Sequence, residues 1–248
     1  MPSQDSRSIA SMLLLYTALL NLLVILGAIS GRLLFDWAPA SAFYTFFYAA
    51  QFGLVLALLS ILQLALAALK KNRRLLKYAS LSLLLGLLPL LASLLIVGIQ
   101  GFQAPMIHDI TTDTEDPPGF SIISSLRTAD ENSLEYGGAD IASLQRQAFP
   151  DIASHASSLS PNQAFERAEK TLEELGWTVV LADRPTLTLE AYEKTRLFGF
   201  IDDVVIRISP AASGSTVDMR SVSRIGEGDL GANARRIRRF FEVFKIAG

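Results

Sequence analysis

The stretch DVVIRISPAASGSTVDMRSVSRI, residues 203–225, decides the fold of the C-terminal half. Val204, Ile206 and Ile208 alternate with Asp203, Val205 and Arg207, the period of a strand with one buried face. Ala212-Ser213-Gly214 supplies a loop, and a second alternating run follows from Ser215 to Ile225. The two runs predict an antiparallel hairpin. In the second run Val217, Met219 and Ile225 share one side, and Asp218, Arg220, Val222 and Arg224 share the other. Asp203, Arg207, Asp218, Arg220 and Arg224 therefore gather on one face of the sheet.

Working back from the hairpin, Thr186–Thr195 alternates with Leu187, Leu189 and Ala191 on one side, and Trp177–Ala182 reads as a further strand. Before them Ser160-Pro161 opens a helix, with Ser160 as N-cap and Pro161 at the first helical position. Phe165, Ala168, Leu172 and Leu175 form its apolar stripe, and Gly176 ends it. After the hairpin a last helix runs from about Gly231 to Ile246, with Ile237, Phe240, Phe241 and Phe244 as its stripe. Residues 160–248 thus predict an α+β core: an antiparallel sheet of four strands with two helices on one face. Residues 104–159 contain four prolines and no sustained period, and predict a mostly irregular arm with an acidic, Pro-rich start. Short strands near 120–125 and a short helix near 140–148 are expected within it.

The first 103 residues are a different material. Runs of 24, 33 and 31 residues without a charge extend from Ser8 to Gly31, Trp37 to Leu69 and Tyr78 to His108. About 20 apolar residues cross a bilayer core as a helix, so spans are expected near 9–29, 45–68 and 79–99. The first run is longer than the apolar core of a cleaved signal peptide. Residues 1–100 hold seven basic and two acidic residues, whereas the remainder holds 15 basic and 22 acidic. Lys70, Lys71, Arg73, Arg74 and Lys77 crowd the link between the second and third spans. Basic loops stay in the cytoplasm. The expected topology therefore has the N-terminus, with Arg7, inside and the C-terminal domain outside, in the periplasm for a Gram-negative source. Phe35, Trp37, Phe43 and Tyr44 fit an aromatic belt at the outer interface. No ionisable residue falls within a span, which argues against an ion or proton path. Gly27 and Gly31 have the GxxxG spacing, read as ordinary helix packing, and Pro89 with Gly86 is expected to kink span three.

The chemistry-bearing patterns are few. The acidic soluble half argues against nucleic acid as a partner, and the chain has no cysteine. Gly226-Glu227-Gly228-Asp229-Leu230-Gly231 matches a dinucleotide fingerprint, but no second parallel strand follows and its two carboxylates would repel a pyrophosphate. A turn with Asp229 capping the last helix is the preferred reading. His108, Asp109, Asp113, Glu115 and Asp116 offer oxygen ligands without EF-hand spacing. They are read as a solvated linker, or as partners for the sheet arginines. His155 lies in a serine-rich segment without a nucleophile elbow. Arg235, Arg236, Arg238 and Arg239 flank the last helix's stripe and read as a solvated face rather than a headgroup site. No cofactor, metal ligand set or catalytic residue is assigned.

Three segments resemble the domain-of-unknown-function 1499 family. They are Ile107–Pro118 (IHDITTDTEDPP), Phe198–Arg207 (FGFIDDVVIR) and Val217–Gly226 (VDMRSVSRIG), the last continuing through Asp229-Leu230-Gly231 to Asn233 and Ile237. The resemblance covers about residues 105–246 and implies no activity, substrate or cofactor. It directs attention to the polar residues of those segments. Asp203, Arg207, Arg220, Arg224 and Asn233 are the candidate ligand-binding set, and Asp109, Asp113 and Glu115 the candidate acidic arm that meets it. The expected function is an integral inner-membrane protein presenting a binding or interaction module to an envelope protein or a small anionic ligand. A structural subunit of an envelope complex, or a metal-assisted hydrolase using the acidic arm, are the alternatives.

Overall fold

The computed structural model describes residues 4–246, with side chains from Ile9 to Lys245, and divides into two units, 1–99 and 100–248. The Arg7 side chain used in the charge argument lies outside the described residues.

Unit one is built from α1 (Gln4–Leu34), α2 (Pro39–Leu69) and most of α3 (Arg73–Phe102). All three are long and apolar enough to cross a membrane. Their surfaces are greasy because lipid, not water, is the solvent they suit: Leu13, Leu23, Leu58 and Leu62 are each more than half exposed. Glycines bring two of these helices together, but away from the GxxxG pair. Gly31 makes room for the Trp37 ring, and Gly27 faces open space. Gly53 of α2 and Gly86 of α3 instead meet backbone to backbone, where an added Cβ on either would come within 3 Å of the other's carbonyl oxygen. Pro89 lies inside α3, and the non-helical residue is Gly98, at φ +73° and ψ 164°. Only glycine adopts such a conformation without cost.

Unit two contains a six-stranded, wholly antiparallel sheet in the order β1-β6-β5-β4-β3, with β2 also paired to β6. The strands are β1 (Asp109–Thr111), β2 (His155–Ser157), β3 (Thr178–Asp183), β4 (Thr188–Lys194), β5 (Ile201–Ala211) and β6 (Gly214–Ser223). The four strands expected from alternation are present. The two additional ones come from the 104–159 segment, lie end to end along β6, and are three residues each. The same segment holds α4 (Ile122–Leu126) and α5 (Gly138–Ala148). The helix near 140–148 is therefore found, whereas the expected strand near 120–125 is a helix.

Helices α6 (Pro161–Glu174) and α7 (Ala232–Ile246) cover one face of the sheet. Their stripes, Phe165, Ala168 and Leu172 with Ile237, Phe240 and Phe244, pack on Leu189, Val204, Ile206, Val217 and Met219 as one core. Ile225 does not join this side. The strand ends at Ser223 and Ile225 is 41% exposed.

Candidate functional site

Cross-strand register puts the sheet's charges where the alternation placed them. Arg207 stands beside Asp218, Val205 beside Arg220, and Asp203 beside Val222. These residues occupy the face away from α6 and α7. The 109–136 part of the arm lies across them.

Arg220 is the deepest of these cations. Its Nε donates to Asp109 Oδ1 (2.9 Å) and its Nη2 to Asp109 Oδ2 (2.7 Å). Two further N–H groups reach the Pro118 carbonyl (3.2 Å) and the Leu134 carbonyl (2.7 Å). The rings of Phe120 and Tyr136 each lie 5.5 Å from its guanidinium. The two ionic side chains are 4% and 8% exposed. A two-point arginine–carboxylate pair backed by two carbonyl acceptors is the geometry that can offset desolvation. The Tyr136 hydroxyl is buried without a partner among the described residues, and burial together with the nearby Asp109 charge pushes it up to about 12.

Asp203 takes two arginines. Arg224 grips both its oxygens (2.9 and 2.8 Å), and Arg127 of the arm donates to Oδ2 at 2.7 Å. Arg127 also reaches the carbonyls of Asn132 and Val222, and Arg224 that of Leu126. Glu131 adds a looser contact to Arg224 at 3.8 Å. Glu190 on β4 is fully buried without an arginine. Its carboxylate accepts from the Ser121 hydroxyl (2.6 Å) and the Ile123 amide (2.8 Å), and so holds the first turn of α4. Carboxylates are favoured at helix N-termini.

Arg207 differs from the other two sheet arginines. It bonds Asp116 (2.8 Å), Asp113 (3.1 Å) and Asp218 (3.3 Å), and its Nε has no partner among the described residues. Its side chain is 26% exposed, and that of Asp116 is 84% exposed. Asp218 is also held by the hydroxyls of Thr112 and Ser154. Burial works against the Arg207 charge, but Asp218 and Asp116 outweigh it and raise its pKa.

The three acidic-arm candidates do not converge. Asp109 goes to Arg220, Asp113 to Arg207, and Glu115 to Arg146 at 3.2 Å. Among the described residues no group of three or more His, Cys, Asp or Glu side chains is placed to hold a metal ion. Asn233 does not join Arg207, Arg220 or Arg224 either. It lies on α7, on the opposite side of the sheet, bonded to Ser221, Ser223 and the His108 carbonyl. There it belongs to a second polar cluster, in which buried Arg236 pairs with Asp202 (2.5 Å) and Glu193 (2.7 Å). Burial raises the Glu193 carboxyl, but Arg236 and Arg239 outweigh it and hold it below the usual range.

The four arginines of α7 are not one solvated face. Arg236 is buried, Arg238 grips Asp151, and Arg239 reaches Glu193 at 2.5 Å. Arg235 is exposed and donates to the Leu230 carbonyl (2.9 Å). The glycine-rich turn behaves as expected: Asp229 accepts from the amides of Gly231 and Asn233, both at 2.7 Å. Its carboxylate thus occupies the helix N-terminus that a pyrophosphate would need. Burial raises its pKa even so. His155 packs against Phe241 and Phe244, where burial and then Lys245 lower its pKa.

Sequence reading missed Arg127, Glu131 and Glu190. Glu190 was findable, because it is the polar position between Leu189 and Ala191 in an alternating strand. Arg127 and Glu131 sit in a stretch without any period.

A family model described as "Protein of unknown function (DUF1499)" matches residues 109–244. No curated protein matches the chain.

Proposed function

The chain belongs to the DUF1499 family, and we propose that it is a membrane-anchored protein presenting an interaction module outside the cytoplasm, which takes an anionic group of an envelope component at Arg207. The orientation rests on the link between α2 and α3, where Lys70, Lys71, Arg73, Arg74 and Lys77 are all exposed. A basic loop of this kind stays in the cytoplasm, and α3 then delivers unit two to the far side. That location is the periplasm where the source has an outer membrane.

The observation that carries the ligand reading is the contrast among the three arginines. Arg220 and Arg224 are closed in by internal carboxylates and carbonyls. Arg207 reaches solvent, and one of its partners, Asp116, stands on the exposed arm. An anionic group can replace Asp116 on Arg207 without dismantling the arm.

Two experiments test this. The natural chain has no cysteine, so Lys71→Cys and Ala129→Cys are single labelling sites. In intact cells an impermeant maleimide should label the Ala129→Cys protein and spare Lys71→Cys; the reverse pattern contradicts the orientation. For the ligand, inorganic phosphate is the probe, added to the full chain in lipid nanodiscs. Asp116→Asn removes the competing carboxylate and should strengthen phosphate binding, whereas Arg207→Gln should abolish it. Equal binding by both variants contradicts the site.

A second reading, a structural subunit of an envelope complex, has one observation in its favour. Ile122 and Leu126 lie one turn apart on α4 and are 42% and 46% exposed.

A further inference from the structure

Several polar side chains within the three apolar helices find partners at home. The hydroxyls of Thr17, Thr45, Ser60, Ser82 and Ser93 each return to the carbonyl four residues back. Asn21 of α1 donates across to the Ala49 carbonyl of α2 at 3.0 Å. Two glutamines of α2 are exceptions: among the described residues the Gln63 Oε1 is buried without a partner, and Gln51 is the one that faces outward. It is exposed on α2, and among the described residues its amide makes no hydrogen bond.

Its depth makes this costly. A 31-residue helix is about 46 Å long, against a hydrocarbon core of about 30 Å. Gln51 lies about 18 Å from the Pro39 end and about 27 Å from the Leu69 end. Centred in the bilayer, α2 puts it roughly 10 Å inside the core, further than a glutamine side chain can reach back. An amide left in hydrocarbon has neither water nor protein to bond.

The surroundings of Gln51 have a definite spacing. Tyr44, Tyr48, Gln51, Val55, Leu58 and Leu62 are all exposed and separated by 4, 3, 4, 3 and 4 residues. That is the seam of a left-handed helix pair, and one polar residue in such a seam fixes register and partner number. A glutamine amide carries both donor and acceptor, so two copies related by a two-fold axis satisfy each other, with Gln51 facing Gln51. We propose that the protein self-associates in the membrane through this face of α2, with the paired Gln51 amides setting the register.

The test uses the full chain in native membranes, where the absence of cysteine lets one introduced thiol report on one position. Val55→Cys keeps Gln51 and lies on the seam, while Leu23→Cys on α1 is a comparably exposed control. Mild oxidation should convert Val55→Cys, but not Leu23→Cys, into a disulfide-linked dimer of twice the chain mass. Adding Gln51→Leu should cut the linked fraction about fivefold or more, and Gln51→Asn should restore part of it. Gln51→Leu protein with wild-type helicity by circular dichroism shows that the loss is not misfolding. Linking at the control level, linking indifferent to Gln51→Leu, or linking to a different polypeptide overturns the proposal.

Discussion

Arg220 and Asp109 stand 111 residues apart in the chain and meet through two parallel hydrogen bonds in the interior of unit two. The pair ties β1, the first strand after the three apolar helices, to its neighbour β6. Three further contacts repeat the theme along the arm: Asp113 on Arg207, Glu190 on the start of α4, and Arg127 on Asp203. The arm is thus clasped mainly by charge and by amides, where the helix face is held by apolar packing. Buried ionic groups in this arrangement fix geometry more than they add stability, and removing one partner leaves the other uncompensated.

Tyr136 gives the clasp an alkaline signature. Its hydroxyl is pushed up to about 12, whereas an unfolded chain ionises tyrosine near pH 10. A raised pKa in the folded state means that stability is intact below pH 10 and is lost as pH climbs toward 12. Ultraviolet titration should show one tyrosine ionising near pH 12, absent in Tyr136→Phe. The phenylalanine variant should also lose less stability over that window. A Tyr136 that titrates near pH 10 contradicts the burial.

Glu190 should act locally. Glu190→Ala removes the acceptor for the Ser121 hydroxyl and the Ile123 amide. Loss of a cap costs about 0.5–2 kcal/mol. Hydrogen exchange at Ile123 should therefore quicken while that of β5 and β6 changes little. Uniformly faster exchange across the sheet would mean that Glu190 supports the whole domain instead.

Gly86 should tolerate no side chain. An added Cβ would come 2.8 Å from the Gly53 carbonyl oxygen and 3.0 Å from the Ala57 amide nitrogen, both backbone atoms. Overpacking costs about 1–3 kcal/mol, so Gly86→Val should lower the melting temperature of the full chain in detergent. Gly27→Val, facing open space, should leave it unchanged.

The hairpin at 203–225 was legible because one face of β5 and β6 is apolar and a period of two admits one register. The same alternation placed Asp203, Arg207, Asp218, Arg220 and Arg224 together on the other face. It failed where it was carried past Ser223, since Ile225 no longer belongs to a strand. The arm was opaque for a physical reason. Helix α4 is five residues long, and the carboxylate at its N-terminus comes from Glu190, nearly seventy positions away. Strands β1 and β2 are too short to show alternation. Which carboxylate serves which arginine depends on the path of the arm, which local spacing does not encode. Asn233 was grouped with the arginines by the family segments it belongs to, yet helix α7 carries it to the other side of the sheet.

The central claim is that the arginine–carboxylate pairs are a structural clasp for the arm. Thermal unfolding of the full chain in detergent, wild type against Arg220→Gln, tests it most directly. The variant leaves Asp109 buried without its cation, a loss of about 3–5 kcal/mol. For a unit of this size the midpoint should fall by roughly 10 °C. A midpoint that holds or rises would contradict the clasp, and would mean that Arg220 is kept for a ligand rather than for the fold.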